Sequence, residues 1–149
     1  MSWRSSLFLF LFCIGTVRTM ATPLPSVSTQ QQAISFLDSI KTINHSPYWA
    51  QVSPGLFLQN LKTNVTHPEN IYPGRSTNFC AFGVVLQLVA KQDPLGYTKF
   101  MLQLYTCGKS TFHNICFQPP LKVREAAGNL RFKGVLDINH AEQIRFLTL

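Results

Sequence analysis

Two apolar segments separated by an Asp-Pro pair constrain the fold of this chain more than any other feature. The first segment, Ala81–Gln92, is apolar nearly all round, and the second, Pro94–Tyr105, carries an apolar stripe. Aspartate caps helix starts and proline suits a first turn, so Asp93-Pro94 ends one helix and begins the next, while Gly108 supplies a stop. The pattern predicts a helical hairpin whose first helix is buried, with an interior formed by Phe82, Val85, Leu86, Val89 and Ala90.

Patterns before and after this hairpin favour an α+β domain with a small antiparallel sheet. Apolar residues at spacings of three and four predict a helix over Gln30–Ile43 that Thr29 caps. Leu56–Leu61 fits either a short helix or a strand, and Asn64–Asn78, with two prolines and a glycine, predicts a long loop. Thr111–Gln118 alternates in polarity and predicts a strand.

The sequence of the carboxyl-terminal part predicts two more short helices. Leu121–Ala127 fits a short helix, and Asn139 with Glu142 three residues later forms a capping box before an apolar run. The run reaches Leu149 with no stop signal, so we keep two interpretations, a terminal helix docked on the core and a chain that is a fragment. Its apolar members are Ala141, Ile144, Phe146, Leu147 and Leu149.

The amino-terminal segment resembles a targeting signal more than part of the fold. Arg4 precedes a short apolar run, Leu7–Ile14, and small residues follow before Ala21. This order is typical of a cleaved signal peptide, and the run is shorter than the roughly 18 apolar residues of a membrane span. We expect a signal peptide at residues 1–21, a Pro-containing linker at 22–29 and a single domain at 30–149. The mature protein is then secreted, or periplasmic in a bacterium, without a stable membrane anchor.

Composition excludes several classes of function. The 149 residues are 46% hydrophobic and 13% charged, which suits one folded domain, and the net charge of +7 comes from basic residues spread singly along the chain. Without a basic cluster, we expect no nucleic-acid binding. Zinc-type spacings, Gly-rich phosphate loops and Gly-x-Ser-x-Gly turns do not occur, so we expect neither a metal nor a cofactor.

Cysteines and glycosylation signals matter more in a secreted chain. After signal cleavage an odd number of cysteines remains, and Cys107 and Cys116 are close enough in sequence to close a small disulfide loop, which leaves Cys80 free. Asn44 and Asn64 each begin an Asn-x-Ser/Thr triplet and are candidate glycan acceptors in a eukaryotic source.

The strongest candidate for a catalytic residue is Cys80, which follows the loop segment Gly74–Phe79 and precedes an apolar helix. A helix amino terminus stabilises a thiolate and binds an oxyanion with its free N–H groups. This arrangement resembles the nucleophile segment of papain-like cysteine peptidases. The resemblance covers Tyr72–Lys109, about a quarter of the chain.

The resemblance implies attack by Cys80 on a peptide or amide bond of a peptide or protein substrate. The family uses a glutamine before the cysteine in the oxyanion hole; none aligns here, and Asn78 is the candidate substitute. The family also needs a later histidine as base, for which His140 and His113 are candidates. The alternative is a secreted, non-catalytic binding or effector-like module in which Cys80 is structural and the loop Tyr72–Asn78 is a contact surface.

Overall fold

A computed structural model describes residues 27–71 and 80–127, apart from the side chains of Cys80 and Phe82. This part of the chain has five α-helices and one two-stranded antiparallel sheet, so the α+β prediction is confirmed. The elements are α1 (Gln30–Ser39), α2 (Pro54–Thr66), a short 3₁₀ helix (Pro68–Asn70), α3 (Cys80–Gln92), α4 (Pro94–Cys107), β1 (Ser110–Phe112), β2 (Ile115–Phe117) and α5 (Leu121–Ala126).

The helix at the centre of the described core is α4. It contacts α1, α2, α3 and β1, and most of its side chains are buried. The ring of Phe57 on α2 stacks on Tyr105 of α4, with 4.4 Å between the ring centroids. Burial on this scale makes α4 the main contributor to the hydrophobic stabilisation of the described core. The buried residues of α4 are Pro94, Tyr97, Thr98, Phe100, Met101, Leu102, Leu104 and Tyr105.

Hydrogen bonds fix the segment before α2 against the end of α4. The hydroxyl of Ser46 donates to the carbonyl of Tyr105, and the Tyr105 hydroxyl donates to the carbonyl of Val52 at 3.0 Å. Trp49 donates from its indole Nε1 to the carbonyl of Leu104 at 2.7 Å. Burial raises the pKa of Tyr105, against a smaller lowering by the backbone N–H of Ser46. These bonds satisfy polar groups that the core would otherwise leave unpaired.

The predicted hairpin of helices is confirmed. Asp93 caps α4 by accepting a hydrogen bond from the backbone N–H of Gly96 at 2.9 Å, and it also accepts one from the Ser28 hydroxyl. Gly108 follows α4 in a left-handed conformation, with φ of 67°. The first helix of this hairpin, α3, is less buried than predicted. Val85 was expected inside and is 54% exposed, although Leu86 and Ala90 are buried.

The predicted end of the first helix is wrong. Thr29 does cap α1, with a reciprocal hydrogen bond from its own backbone N–H to Gln32, but the helix ends at Ser39 rather than at Ile43. Ile40 is extended there, and the β-branched residues that follow have low helix propensity. Ile40 and Ile43 still pack on the core without a helix.

The region after Pro54 is more helical than predicted. The segment Leu56–Leu61, for which helix and strand remained open, lies in α2, and so does the start of the predicted loop at Asn64. Pro54 occupies the first turn of α2, where its missing N–H costs nothing. Gln30 of α1 donates to the carbonyls of Val65 and Thr66 at the end of α2, at 2.9 and 2.7 Å. These long-range bonds satisfy two carbonyl groups in the last turn of α2 that have no partner within the helix.

The single strand predicted at Thr111–Gln118 is instead a hairpin of two short strands. Phe112 of β1 pairs with Ile115 of β2, so His113 and Asn114 form a two-residue turn. Both turn residues have positive φ, 44° and 68°, as a type I′ turn requires. Asparagine tolerates this conformation, which is the local reason for the break at this point.

Candidate functional site

Cys80 occupies the first position of α3, as predicted. The helix has 13 residues, and its first turn contains no acidic side chain. A helix of this length presents free N–H groups and a partial positive charge at its amino terminus, and both stabilise an anion. The backbone of Cys80 therefore stands where a thiolate and an oxyanion are favoured. The side chain of Cys80 and the predicted oxyanion group Asn78 lie outside the described residues.

Two hydrogen bonds attach α3 to other segments of the described chain. Gln87 donates from its side-chain amide to the carbonyl of Ile71 at 2.6 Å, and Ile71 is fully buried. At the carboxyl end, the backbone N–H of Val27 donates to the carbonyl of Gln92 at 2.8 Å. Ile71 is the last described residue before the segment 72–79 that leads to Cys80. The middle and the carboxyl end of α3 are thus held against the rest of the described chain by hydrogen bonds to backbone groups.

The candidate histidine bases occupy different positions in the chain, and the side chain of Cys80 lies outside the described residues. His140 lies outside the described residues. His113 is in the turn of the β1–β2 hairpin rather than in a strand; it is exposed, and its ring packs edge-on against Phe112. His67 is exposed at the end of α2, 3.2 Å from the carboxylate of Glu69. The pKa of Glu69 is lowered, mainly by a hydrogen bond from the Glu69 backbone N–H to the carboxylate and then by the contact with His67.

The predicted disulfide between Cys107 and Cys116 is not formed in the structure. Both residues are free and exposed. The cross-strand partner of Cys116 is Thr111, and strand pairing begins at Ser110, so Cys107 lies outside the paired register at the end of α4. The hairpin therefore pairs Cys116 with Thr111 rather than with Cys107.

The two candidate glycan acceptors differ in accessibility. Asn44 is exposed in the irregular segment between α1 and α2. Asn64 is 2% exposed inside α2, and its side-chain amide faces the Tyr97 hydroxyl at 3.5 Å. A glycan on Asn64 is incompatible with this packing, so the prediction for that position is wrong for the folded chain. Asn44 stays a predicted acceptor.

A feature that the sequence interpretation missed is an apolar groove of about 190 Å³ between α3, α4 and the β hairpin. Its walls come from three separate elements, and the inner face of the hairpin supplies two phenylalanine rings that pack edge-on against Phe100 at 5.6 and 5.2 Å. The Asn114 turn was the signal that could have revealed the hairpin. The groove residues are Val85, Leu86, Val89, Tyr97, Phe100, Phe112, Ile115 and Phe117.

No known protein and no second kind of site helps to identify the function of the described part of the chain. Comparisons with family models, curated proteins and solved structures found no match. Within residues 27–71 and 80–127 there is no group of three His, Cys, Asp or Glu side chains that could hold a metal ion. No helix in this described part is both long and apolar enough to cross a membrane. The likeness to papain-like peptidases therefore depends on the residues around Cys80.

Proposed function

We propose that this protein is a secreted cysteine hydrolase of the papain-like kind, acting on a peptide or amide bond through Cys80. The observation that carries the proposal is the position of Cys80 at the first residue of α3, a 13-residue helix held in register with the core. A cysteine nucleophile needs its thiolate, and a helix amino terminus is one of the few places in a protein that favours that form.

The reaction divides into two steps. The Cys80 sulfur attacks the carbonyl carbon, and the N–H groups at the start of α3, with Asn78, hold the oxyanion that forms. The leaving amine takes a proton from the conjugate acid of the base, for which His140 is the candidate, and a thioester remains on Cys80. Water, deprotonated by the same base, attacks the thioester, releases the acid and restores the thiol.

The test is cleavage of a mixed peptide library, followed by mass spectrometry, with three single cysteine variants of the full chain. Cys80→Ser should lose at least about a thousandfold in rate, because it removes the nucleophile. Cys107→Ser and Cys116→Ser are matched controls, since both thiols are exposed and free, and both should keep full activity. Cleavage that survives in Cys80→Ser contradicts the proposal.

One observation favours the alternative of a non-catalytic secreted module. Because Cys107 and Cys116 are free and exposed, either is available to a structural disulfide with Cys80. A thiol count on the non-reduced protein separates the two functions. Three free thiols in a chain cleaved after residue 21 support the hydrolase, whereas a disulfide through Cys80 supports the binding module.

A further inference from the structure

The apolar groove beside α3 continues into an exposed apolar surface. Val84, Val85 and Leu88 on α3 are 48%, 54% and 51% exposed, and Ile115 at the tip of the hairpin is 60% exposed. All eight residues that line the groove are apolar except for the tyrosine hydroxyl. Contiguous apolar surface of this kind is favourable to cover and marks an interaction site.

The chain itself contains a segment that matches this surface. Residues 139–149, outside the described part, have the sequence of a capped helix with five apolar residues. Ala141, Ile144 and Leu147 recur at intervals of three and share one face in a helix, whereas Glu142 falls on the opposite face. An amphipathic helix laid into an apolar groove is a recurring mode of recognition.

The chain between Ala127, the last described residue, and residues 139–149 is long enough for that segment to reach the groove. Ala127 is fully buried and belongs to the core, so residues 128–149 start from the packed body. Seventeen residues separate Ala127 from Ile144, a reach of up to about 56 Å when extended. A domain of about 100 residues has a radius of gyration near 13 Å. The tether therefore spans the molecule and holds the segment at an effective concentration of about a millimolar.

We infer that residues 139–149 dock on the groove formed by α3, α4 and the β hairpin, with Ile144 and Leu147 against Val85 and Ile115. The occupant is the chain's own segment, because the tether favours it over a free partner. The segment also carries His140 and would bring this predicted base to the helix that begins at Cys80. That last consequence rests on the proposed function, whereas the docking does not.

The test is photo-cross-linking from the groove in the full 149-residue chain. The photoreactive residue p-benzoylphenylalanine is incorporated at Ile115, and in a matched control at Leu56, which is 48% exposed on α2 and does not line the groove. Peptide mapping locates the cross-links. We expect intramolecular cross-links from Ile115 to residues 139–149, with a yield independent of protein concentration and about tenfold above that from Leu56.

A pair of neighbouring substitutions sharpens the result. Ile144→Lys places a charge on the docking face and should lower the yield of cross-links from position 115 at least about tenfold. Gln143→Lys introduces the same charge beside that face and should leave most of this cross-linking yield unchanged. Cross-links between two chains that increase with concentration would assign the groove to a second copy and overturn the inference. Equal yields from Ile115 and Leu56, or none to residues 139–149, would also overturn it.

Discussion

The adjacent helices α3 and α4 are both apolar, yet they have different surroundings. Eight residues of α4 are buried between α1, α2, α3 and β1. On α3, which has the more continuous apolar sequence, Val84, Val85 and Leu88 are about half exposed. Apolar character therefore identifies a helix that needs covering, whereas the contacts made by neighbouring elements decide which helix is covered. The two helices also have different roles, since α4 forms the centre of the described core, whereas α3 carries the candidate nucleophile and one wall of the groove.

The largest difference in stability is expected when one leucine on each helix is shortened to alanine. Leu104 on α4 is fully buried and Leu88 on α3 is 51% exposed. Leu104→Ala should lower the free energy of unfolding by about 3 kcal/mol, because it removes buried methyl groups and leaves a cavity. Leu88→Ala should cost less than about 1 kcal/mol. Urea unfolding measures both, and equal losses would show that the two helices do not differ in burial.

The next effect concerns the end of α4. Gly108 has φ of 67°, and a Cβ there would come within 2.6 Å of the Tyr48 ring. Gly108→Ala should therefore lower the free energy of unfolding by about 2 kcal/mol, from backbone strain and the clash. Gly55 in α2 has no atom within 4 Å of its added Cβ, so Gly55→Ala is the control and should stabilise by about 0.5 kcal/mol. Thermal unfolding compares the pair, and a neutral Gly108→Ala would refute this account of the α4 terminus.

A smaller effect is the pH dependence that Tyr105 on α4 gives to stability. Burial raises the pKa of Tyr105, so the folded state favours the neutral phenol. This contribution is complete below the unfolded pKa of about 10 and is lost as pH rises through the folded value. Tyr105→Phe should cost about 1 kcal/mol at pH 7, since the carbonyl of Val52 loses its donor. The variant should also lose less stability than the parent between pH 9 and about 11. An identical alkaline loss in both proteins would contradict this role.

Local signals in the sequence predicted the elements that depend on neighbours in the chain. Thr29 and Asp93 cap helices and Gly108 stops one, because each acts through backbone groups within a few residues. Features set by distant contacts were missed. The last turn of α2 is bonded by Gln30, which is 35 residues from its partner Val65, and the exposure of α3 depends on which elements pack against it.

The candidate site was predictable only in part for the same reason. The position of Cys80 at a helix start follows from the loop and apolar run beside it, and the structure agrees. The turn at His113-Asn114 was missed because alternation in polarity does not distinguish one strand from a tight hairpin. The burial of Asn64 could not be read from its triplet, since it results from packing against Tyr97 on α4.

Whether Cys80 is a reactive thiolate is measured by alkylation of the non-reduced protein with iodoacetamide from pH 4 to 9, followed by peptide mapping of each cysteine. Cys107 and Cys116 are free and exposed, so they serve as internal references for Cys80. If Cys80 is the nucleophile, its labelling rate should reach half its maximum at least about one pH unit below the thiol reference of about 8.5 and ahead of both other cysteines. If Cys80 is labelled only after reduction or unfolding, or in step with the other two, the protein does not use it as a nucleophile.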